Sequence, residues 1–453
     1  MHLKIIAEIE LFSRMIRNLF SLFVICFLCS FKAVAQSSQD DSLSNATLSA
    51  CVQYALKHQP FIQQSLIDEK IAEATIRTRL ADWYPQLNLD ASYQYNIKRP
   101  TLYFNGNYVT TGTNDNSAVA LGATQNIFNR DVLLASRSAG DIRKATRQIT
   151  DSTRIGIVAG VSKAFYDVLL TQRQVSVLDE DIVRLNRSLQ DAYNQYRGGI
   201  VDKTDYKRAT ISLNNANAER KQQQDLLTAK YFYLKQLMGY PDSVSLQVQY
   251  DSTELEREII IDTSQQINYS NRIEYKLLQT TKNLQEYNLK YYRWGYLPSV
   301  SAFGNYNLNY FNNSFGKLYQ QSFPTSSVGI QLSFPIFQGT KRTFQVRTAE
   351  LQIQRLDWEI VSLQNIIRTE YAQALAAYKG NLANYLALKD NVGLAMDVYN
   401  VIRLQYQQGI KTYLDVIIAE SDLRTSQLNL YSALYQLLQS RVDVSRALGT
   451  LEQ

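Results

Sequence analysis

The chain is poor in the residues that do most enzyme chemistry. Its 453 residues include two histidines, His2 and His58, and three cysteines, Cys26, Cys29 and Cys51. Removal of the N-terminal segment, argued below, leaves one of each. A Ser-His-Asp triad then has a single imidazole to draw on, and a His/Cys zinc site has too few ligands. One cysteine cannot close an intramolecular disulfide. No Walker-type lysine motif supplies a nucleotide site. Helix breakers are scarce too. There are 18 Gly and 7 Pro, with no Pro between Pro100 and Pro241 or after Pro335. Stretches that long favour very long helices. Charge of one sign is also missing. Lys plus Arg is 47 against 41 Asp plus Glu, and no basic stripe marks a nucleic-acid partner. A mean hydropathy of −0.26 excludes a bundle of membrane-spanning helices. The chain reads as a non-enzyme with no cofactor, no metal and no nucleic acid to bind.

What is present begins with an address. Arg14 and Arg17 precede an apolar run from Leu19 to Phe31, followed by Ala33-Val34-Ala35-Gln36. A basic stretch, a short apolar stretch and an A-x-A cut form a secretory signal over residues 1–35. Translation could equally begin at Met15, since residues 1–14 add nothing to the pattern. Lipidation is disfavoured, because Ile25 and Leu28, not small residues, precede Cys26 and Cys29. The mature chain is expected to start at Gln36, beyond the inner membrane.

The rest is written twice. WYPQLNLDASYQYN from Trp83 corresponds to WGYLPSVSAFGNYNLNY from Trp294, with Pro85 matching Pro298 and Tyr93 matching Tyr306 at an offset of 213. Ile127-Phe128-Asn129 matches Ile336-Phe337-Gln338 at 209, and YRGGIVDKTDY from Tyr196 matches YQQGIKTYLDV from Tyr406 at 210. Leu237-Met238-Gly239 and Ala447-Leu448-Gly449 close the two copies. Repeats of this length are supersecondary units used twice. The expected organisation is a first repeat over 36–239, a joint over 240–270 and a second repeat over 271–453.

Each repeat carries a strand pair, at about 86–128 and about 299–337. Leu87, Leu89, Ala91, Tyr93 and Tyr95 alternate with Gln86, Asn88, Asp90, Ser92 and Gln94; Val300 to Tyr310 alternate in the same way. Period two means one apolar and one polar face. Loops over 97–117 and 311–326 join the partners. A soluble sandwich would turn the apolar face to another sheet; a membrane barrel would turn it to lipid. Strands of about 10 to 12 residues suit a tilted crossing. Tyr93, Tyr95, Tyr306 and Tyr310 suit an interfacial girdle. Four strands cannot close a barrel, and open edges cannot face lipid. In lipid, three chains would have to pool about twelve strands.

Each repeat also carries a very long helix. No proline interrupts the 71 positions from Phe128 to Gly199 or the 72 from Phe337 to Gly409. Val158, Val161, Phe165, Val168, Val175, Leu178, Ile182 and Leu185 recur at intervals near 3.5, as do Tyr371, Leu375, Tyr378, Leu382 and Tyr385. That spacing is a coiled-coil seam. At about 1.5 Å per residue each helix is a rod of roughly 100 Å. The rods stop at Gly199 and Gly409, and return helices end at Gly239 and Gly449. A first helix spans Leu48 to Asp82, and another spans Asn271 to Arg293. Asp202, Asp205 and Asp415 lie just past the turns, either as first-turn acids on a helix dipole or as a negative ring at a pore mouth. Cys51 and His58 read as packing residues of the first helix.

Taken together, these residues resemble the TolC family of outer-membrane efflux channels. The resemblance covers nearly the whole mature chain and includes LSACVQYALKHQP from Leu48. It implies a mixed fold: a homotrimer closing a twelve-stranded β-barrel in outer-membrane lipid over a long helical tunnel in the periplasm. It implies a periplasmic adaptor meeting the helix turns at Gly199, Ile200, Gly409 and Ile410, and an inner-membrane pump behind it. It further implies a gating turn at Tyr406, Gly409, Lys411 and Asp415. An acid often stands three residues past Asp415; Ile418 stands there instead, so a double acidic ring is not expected. The rival readings are a secreted coiled-coil structural protein without a pore and, less well matched, an adaptor, which would carry its helical hairpin once.

Overall fold

The computed structural model describes residue 43 and residues 46–249 and 259–451. The expected signal segment and its cut at Gln36 lie outside the described residues. From residue 46 the elements run in order α1 (Leu48–His58), α2 (Pro60–Leu80), β1 (Gln86–Tyr95), β2 (Thr101–Phe104), β3 (Asn107–Thr110), β4 (Asp115–Phe128), α3 (Arg130–Arg197) and α4 (Lys203–Met238). They continue with α5 (Ile273–Trp294), β5 (Ser299–Asn312), β6 (Phe323–Ser333), α6 (Lys341–Gln407) and α7 (Tyr413–Leu448). Helix, strand pair, long helix and return helix therefore occur twice.

The four long strands form one antiparallel sheet in the order β1-β4-β5-β6. Opposed residues share a face, so the register sorts the side chains. One face carries the rows Leu87-Ala123-Gly304-Val328, Leu89-Leu121-Tyr306-Ser326 and Ala91-Val119-Leu308-Pro324. The other carries Asn88-Gly122-Asn305-Ser327 and Asp90-Ala120-Asn307-Thr325. Among the described residues nothing covers the apolar rows at the edges: Leu87 and Leu89 are 71% and 70% exposed, and Val328 is 89% exposed. Near the far end, Tyr93 donates to Asp115 Oδ1 at 2.6 Å and meets the Phe315 ring edge-on, while Tyr310 packs on Tyr319. A 3₁₀ turn over Phe315–Gln320 places these two rings there.

Three expectations are corrected. The segment 97–117 is not all loop, because β2 and β3 form a second, two-stranded sheet. Asn105 at φ 47° and Gly106 at φ 84° make its two-residue turn, the Asn-Gly pair that such hairpins favour. The first helix is not continuous. It breaks at Gln59, because a residue before proline is pushed out of the helical region. Gln59 instead caps α2, its side chain accepting from Phe61 N at 2.8 Å. The last strand stops at Ser333, two residues short of Pro335, and does not reach 337.

The long helices are unequal. α3 packs on α2, α4, α5 and α7, whereas α6 packs mainly on α5 and α7. α3 accordingly has 21 buried residues in 68 and α6 has 7 in 67. The seam residues Tyr378, Tyr385 and Tyr399 are buried on α6, but Trp358, Leu394, Val398 and Leu404 stand exposed on its other faces. Cys51 is buried and free, and burial pushes its thiol up to about 12. His58 stacks on Tyr54 with ring centroids 4.1 Å apart.

Each return helix ends on a left-handed glycine jammed against the start of a repeat. A Cβ on Gly239 would lie 2.7 Å from His58 O, and one on Gly449 would lie 2.9 Å from Asn271 O. Gly409 has a similar φ of +75° but open space around it. Gly239→Ala and Gly449→Ala should therefore each cost about 2–4 kcal/mol, and Gly409→Ala about 1 kcal/mol. Thermal midpoints of the three variants in detergent check the ranking; equal losses would contradict it.

Candidate functional site

The two helix-to-helix turns have the same backbone. In the first, Gly199 N donates to Tyr196 O at 3.0 Å and Ile200 N donates to Gln195 O at 2.9 Å. In the second, Gly409 N donates to Tyr406 O at 3.0 Å and Ile410 N donates to Gln405 O at 2.9 Å. This is the Schellman arrangement, which requires a left-handed residue at the glycine. It leaves Ile200 and Ile410 at the apex, 76% and 67% exposed.

The next helix starts at once in each copy, but with different caps. Asp202 is the N-cap of α4 and accepts from Thr204 N at 3.0 Å; Asp205 follows in the first turn. α7 begins with a capping box. Asp415 Oδ2 accepts from Thr412 N at 2.9 Å and from Thr412 Oγ1 at 2.7 Å, and Asp415 N donates back to Thr412 Oγ1 at 3.4 Å. The Thr412 hydroxyl and amide, and then the Lys411 charge, hold the Asp415 carboxyl below its ordinary value. All three acids thus act on helix N-termini within the chain.

Among the described residues, no hydrogen bond joins Tyr406 to Lys411 or Asp415. The Tyr406 hydroxyl donates to Gln195 Oε1 on α3 at 3.0 Å, which ties the end of α6 to the other hairpin. Beneath the turns, Tyr413 is buried against Ala192 of α3 and Ala209 of α4, with Leu189, Tyr406 and Ile417 around it. The two alanines leave the room that the phenol ring fills. The Tyr413 hydroxyl is itself buried without a partner. On the outside, Tyr206 packs on Tyr193 and Tyr196.

The structure adds a buried ionic cluster where α3 meets α7. Asp181 accepts from Arg184 Nη2 at 3.2 Å and from Arg424 Nη1 at 3.1 Å. Glu420 lies beside them with Arg184 Nε 3.7 Å from its Oε1. Sequence reading passed over this cluster, although a signal was there. Asp181 falls between Leu178 and Leu185 on the apolar stripe of α3, and Glu420 falls between Val416 and Leu423 on that of α7. An acid at a seam position must be paired or protonated.

A four-stranded sheet with an apolar and a polar face, fused to paired helices several times longer than a bilayer is thick, defines an envelope-spanning channel protein. The chain matches the model of the outer membrane efflux protein family over residues 51–240 and again over 281–450. It belongs to that family, and its place is the outer membrane. It is 24% identical to outer membrane protein TolC of Escherichia coli K12 over 432 residues, covering 91% of this chain and 84% of that one. It is 24% identical to the proteases secretion protein PrtF of Dickeya chrysanthemi over 309 residues, 64% of this chain and 63% of that one. Among solved structures, the outer membrane protein VceC of Vibrio cholerae has the same fold. The TM-score is 0.71 at 17% identity, over 89% of this chain and 96% of that one.

The seat of Tyr413 generates a test. Tyr413→Ala should loosen the tip by about 3–5 kcal/mol, since it empties a buried aromatic site. Tyr413→Phe should be neutral or slightly stabilising, because the hydroxyl it removes has no partner. Hydrogen exchange at the start of α7 reads both; a large loss with Phe would mean that the hydroxyl is bonded in solution.

Proposed function

We propose that three copies of this chain close a twelve-stranded barrel in the outer membrane and continue as a helical tunnel through the periplasm. The assembly is a passive conduit for small molecules or proteins in a trans-envelope efflux or secretion system. The observation that carries this reading is the sheet. Its outer strands β1 and β6 have free backbone edges and uncovered apolar side chains, a combination that lipid tolerates only when the edges are paired. The nearly unclad α6 supports it, because a helix with exposed Trp358, Leu394 and Leu404 needs a neighbour that the described residues do not provide.

In this reading the apex residues Gly199, Ile200, Gly409 and Ile410 meet a periplasmic adaptor, with an inner-membrane pump supplying the energy. The tip is the gated end. Tyr406 holds α6 to α3 through Gln195, while Lys411 and Asp415, with Asp202 and Asp205, set the charge at the mouth. Opening moves the α6–α7 hairpin away from α3 and α4.

Planar-bilayer recording tests this. The purified chain should insert as a low-conductance pore, and Lys411→Ala with Asp415→Ala should raise its conductance. Unchanged conductance would remove these two residues from the gate. Thr412→Ala breaks the capping box without changing charge. If it raises conductance as much as the charge variants do, the cap, not the charge, holds the turn. No conductance from any form would contradict the conduit.

A further inference from the structure

The two buried acids between α3 and α7 are not equivalent. Asp181 is fully buried and bonded to both Arg184 and Arg424. Glu420 is 1% exposed, and both of its carboxyl oxygens lack a hydrogen-bond partner. Arg184 Nε forms an ion pair with Glu420 Oε1 at 3.7 Å, too long for a hydrogen bond, and has no hydrogen-bond partner of its own. The charged groups that act on Glu420 come from three helices: Asp181 and Arg184 from α3, Arg403 from α6 and Arg424 from α7. The phenols of Tyr399 on α6 and Tyr413 on α7 also lie within its field. A carboxylate sealed from water without a donor is costly, whereas the neutral acid is not.

The position matters as much as the burial. Glu420 sits about two helical turns into α7 from Tyr413, on the face that packs against α3. Movement of the α6–α7 hairpin away from α3 parts this contact and lets water in.

We propose that Glu420 makes opening of the tip proton-linked: the closed packing of α7 on α3 holds it as the neutral acid, and parting the helices releases it to water as a carboxylate. The inference rests on the tip being the gated end of a conduit. The step is one proton passing from the Glu420 carboxyl to water, with no other bond made or broken.

The direction follows from linkage. Burial, and then the Asp181 charge, push the closed-state carboxyl from 4.5 up to about 7, despite the opposing pull of Arg184, Arg424 and Arg403. The closed state binds the proton more tightly than the hydrated open state. Its advantage is complete below the ordinary carboxylate value and is lost as pH rises through about 7. Mild acid holds the tip shut and mild alkali favours opening. Asp415, held below its ordinary value by Thr412, stays charged across this window and contributes no such dependence.

Two readouts on the full-length mature chain test the proposal. In planar bilayers, open probability should rise about threefold or more between about pH 5.5 and about pH 8. Glu420→Gln, a permanent mimic of the neutral acid, should conduct with a flat profile fixed near the acid value. Separately, spin labels at Val183→Cys on α3 and Ile418→Cys on α7, both on exposed positions, should report a longer distance at the higher pH. The buried Cys51 thiol remains unlabelled. Glu420→Gln should abolish that change as well. A Glu420→Gln profile that follows the wild type overturns the latch and leaves the conduit standing. Absence of conductance overturns the conduit. In that case a label distance that does not change with pH in the unsubstituted Glu420 protein overturns the latch independently.

Discussion

A β-sheet with two free edges can stand in water when those edges are blunted or covered, but in lipid its edges must be paired. That constraint governs this molecule. The register of β1, β4, β5 and β6 puts Leu89, Leu121 and Tyr306 on one side and Asn88 and Asn305 on the other, with no second layer among the described residues for either side to pack on. An apolar face that meets no other sheet belongs against hydrocarbon, and a polar face opposite it belongs against water. Once the sheet is committed to lipid, its edges must find strands, and among the described residues there are none of the right length. The short β2–β3 hairpin pairs only with itself.

The helices obey the same requirement in a different medium. α3 is surrounded by other helices of its own chain, and α6 is not, although the two descend from the same repeat and are nearly equal in length. The duplication makes one helix of each pair central and leaves the other at the margin, so the incompleteness of the sheet and that of the helical wall fall in one protomer. The tip adds local stiffness to this frame. Two Schellman turns, an Asp202 cap and a Thr412–Asp415 capping box end and restart helices within a few residues. Tyr413 on Ala192 and Ala209 joins the two hairpins.

Much of this was legible in the sequence because it depends on period and punctuation. Alternation gave β1 and β5, the seam spacing gave α3 and α6, and Gly199, Gly409, Gly239 and Gly449 marked helix ends that the structure places there. The hairpin at 101–110 was also written, in Asn105-Gly106, but was lost among the other polar residues of that segment. The break at Gln59 was written in Pro60. What period cannot convey is which seam residue faces which helix. The partner of Tyr406 is Gln195, more than two hundred residues earlier, and the pairs Arg184–Glu420 and Asp181–Arg424 join the two repeats. Those pairings follow from how α6 and α7 lie on α3, a tertiary fact that no local pattern fixes. Lys411, Asp415, Asp202 and Asp205 were located by motif, yet within the chain the three acids serve as helix caps or first-turn charges. The role proposed for them at a shared mouth depends on copies arranged around an axis.

The central claim is that one chain holds only a third of a closed wall. The most direct measurement is the mass of the complex extracted from outer membranes in mild detergent, read by native mass spectrometry. The account predicts a single species of three chains that survives dilution. A species of one chain under the same conditions would contradict it.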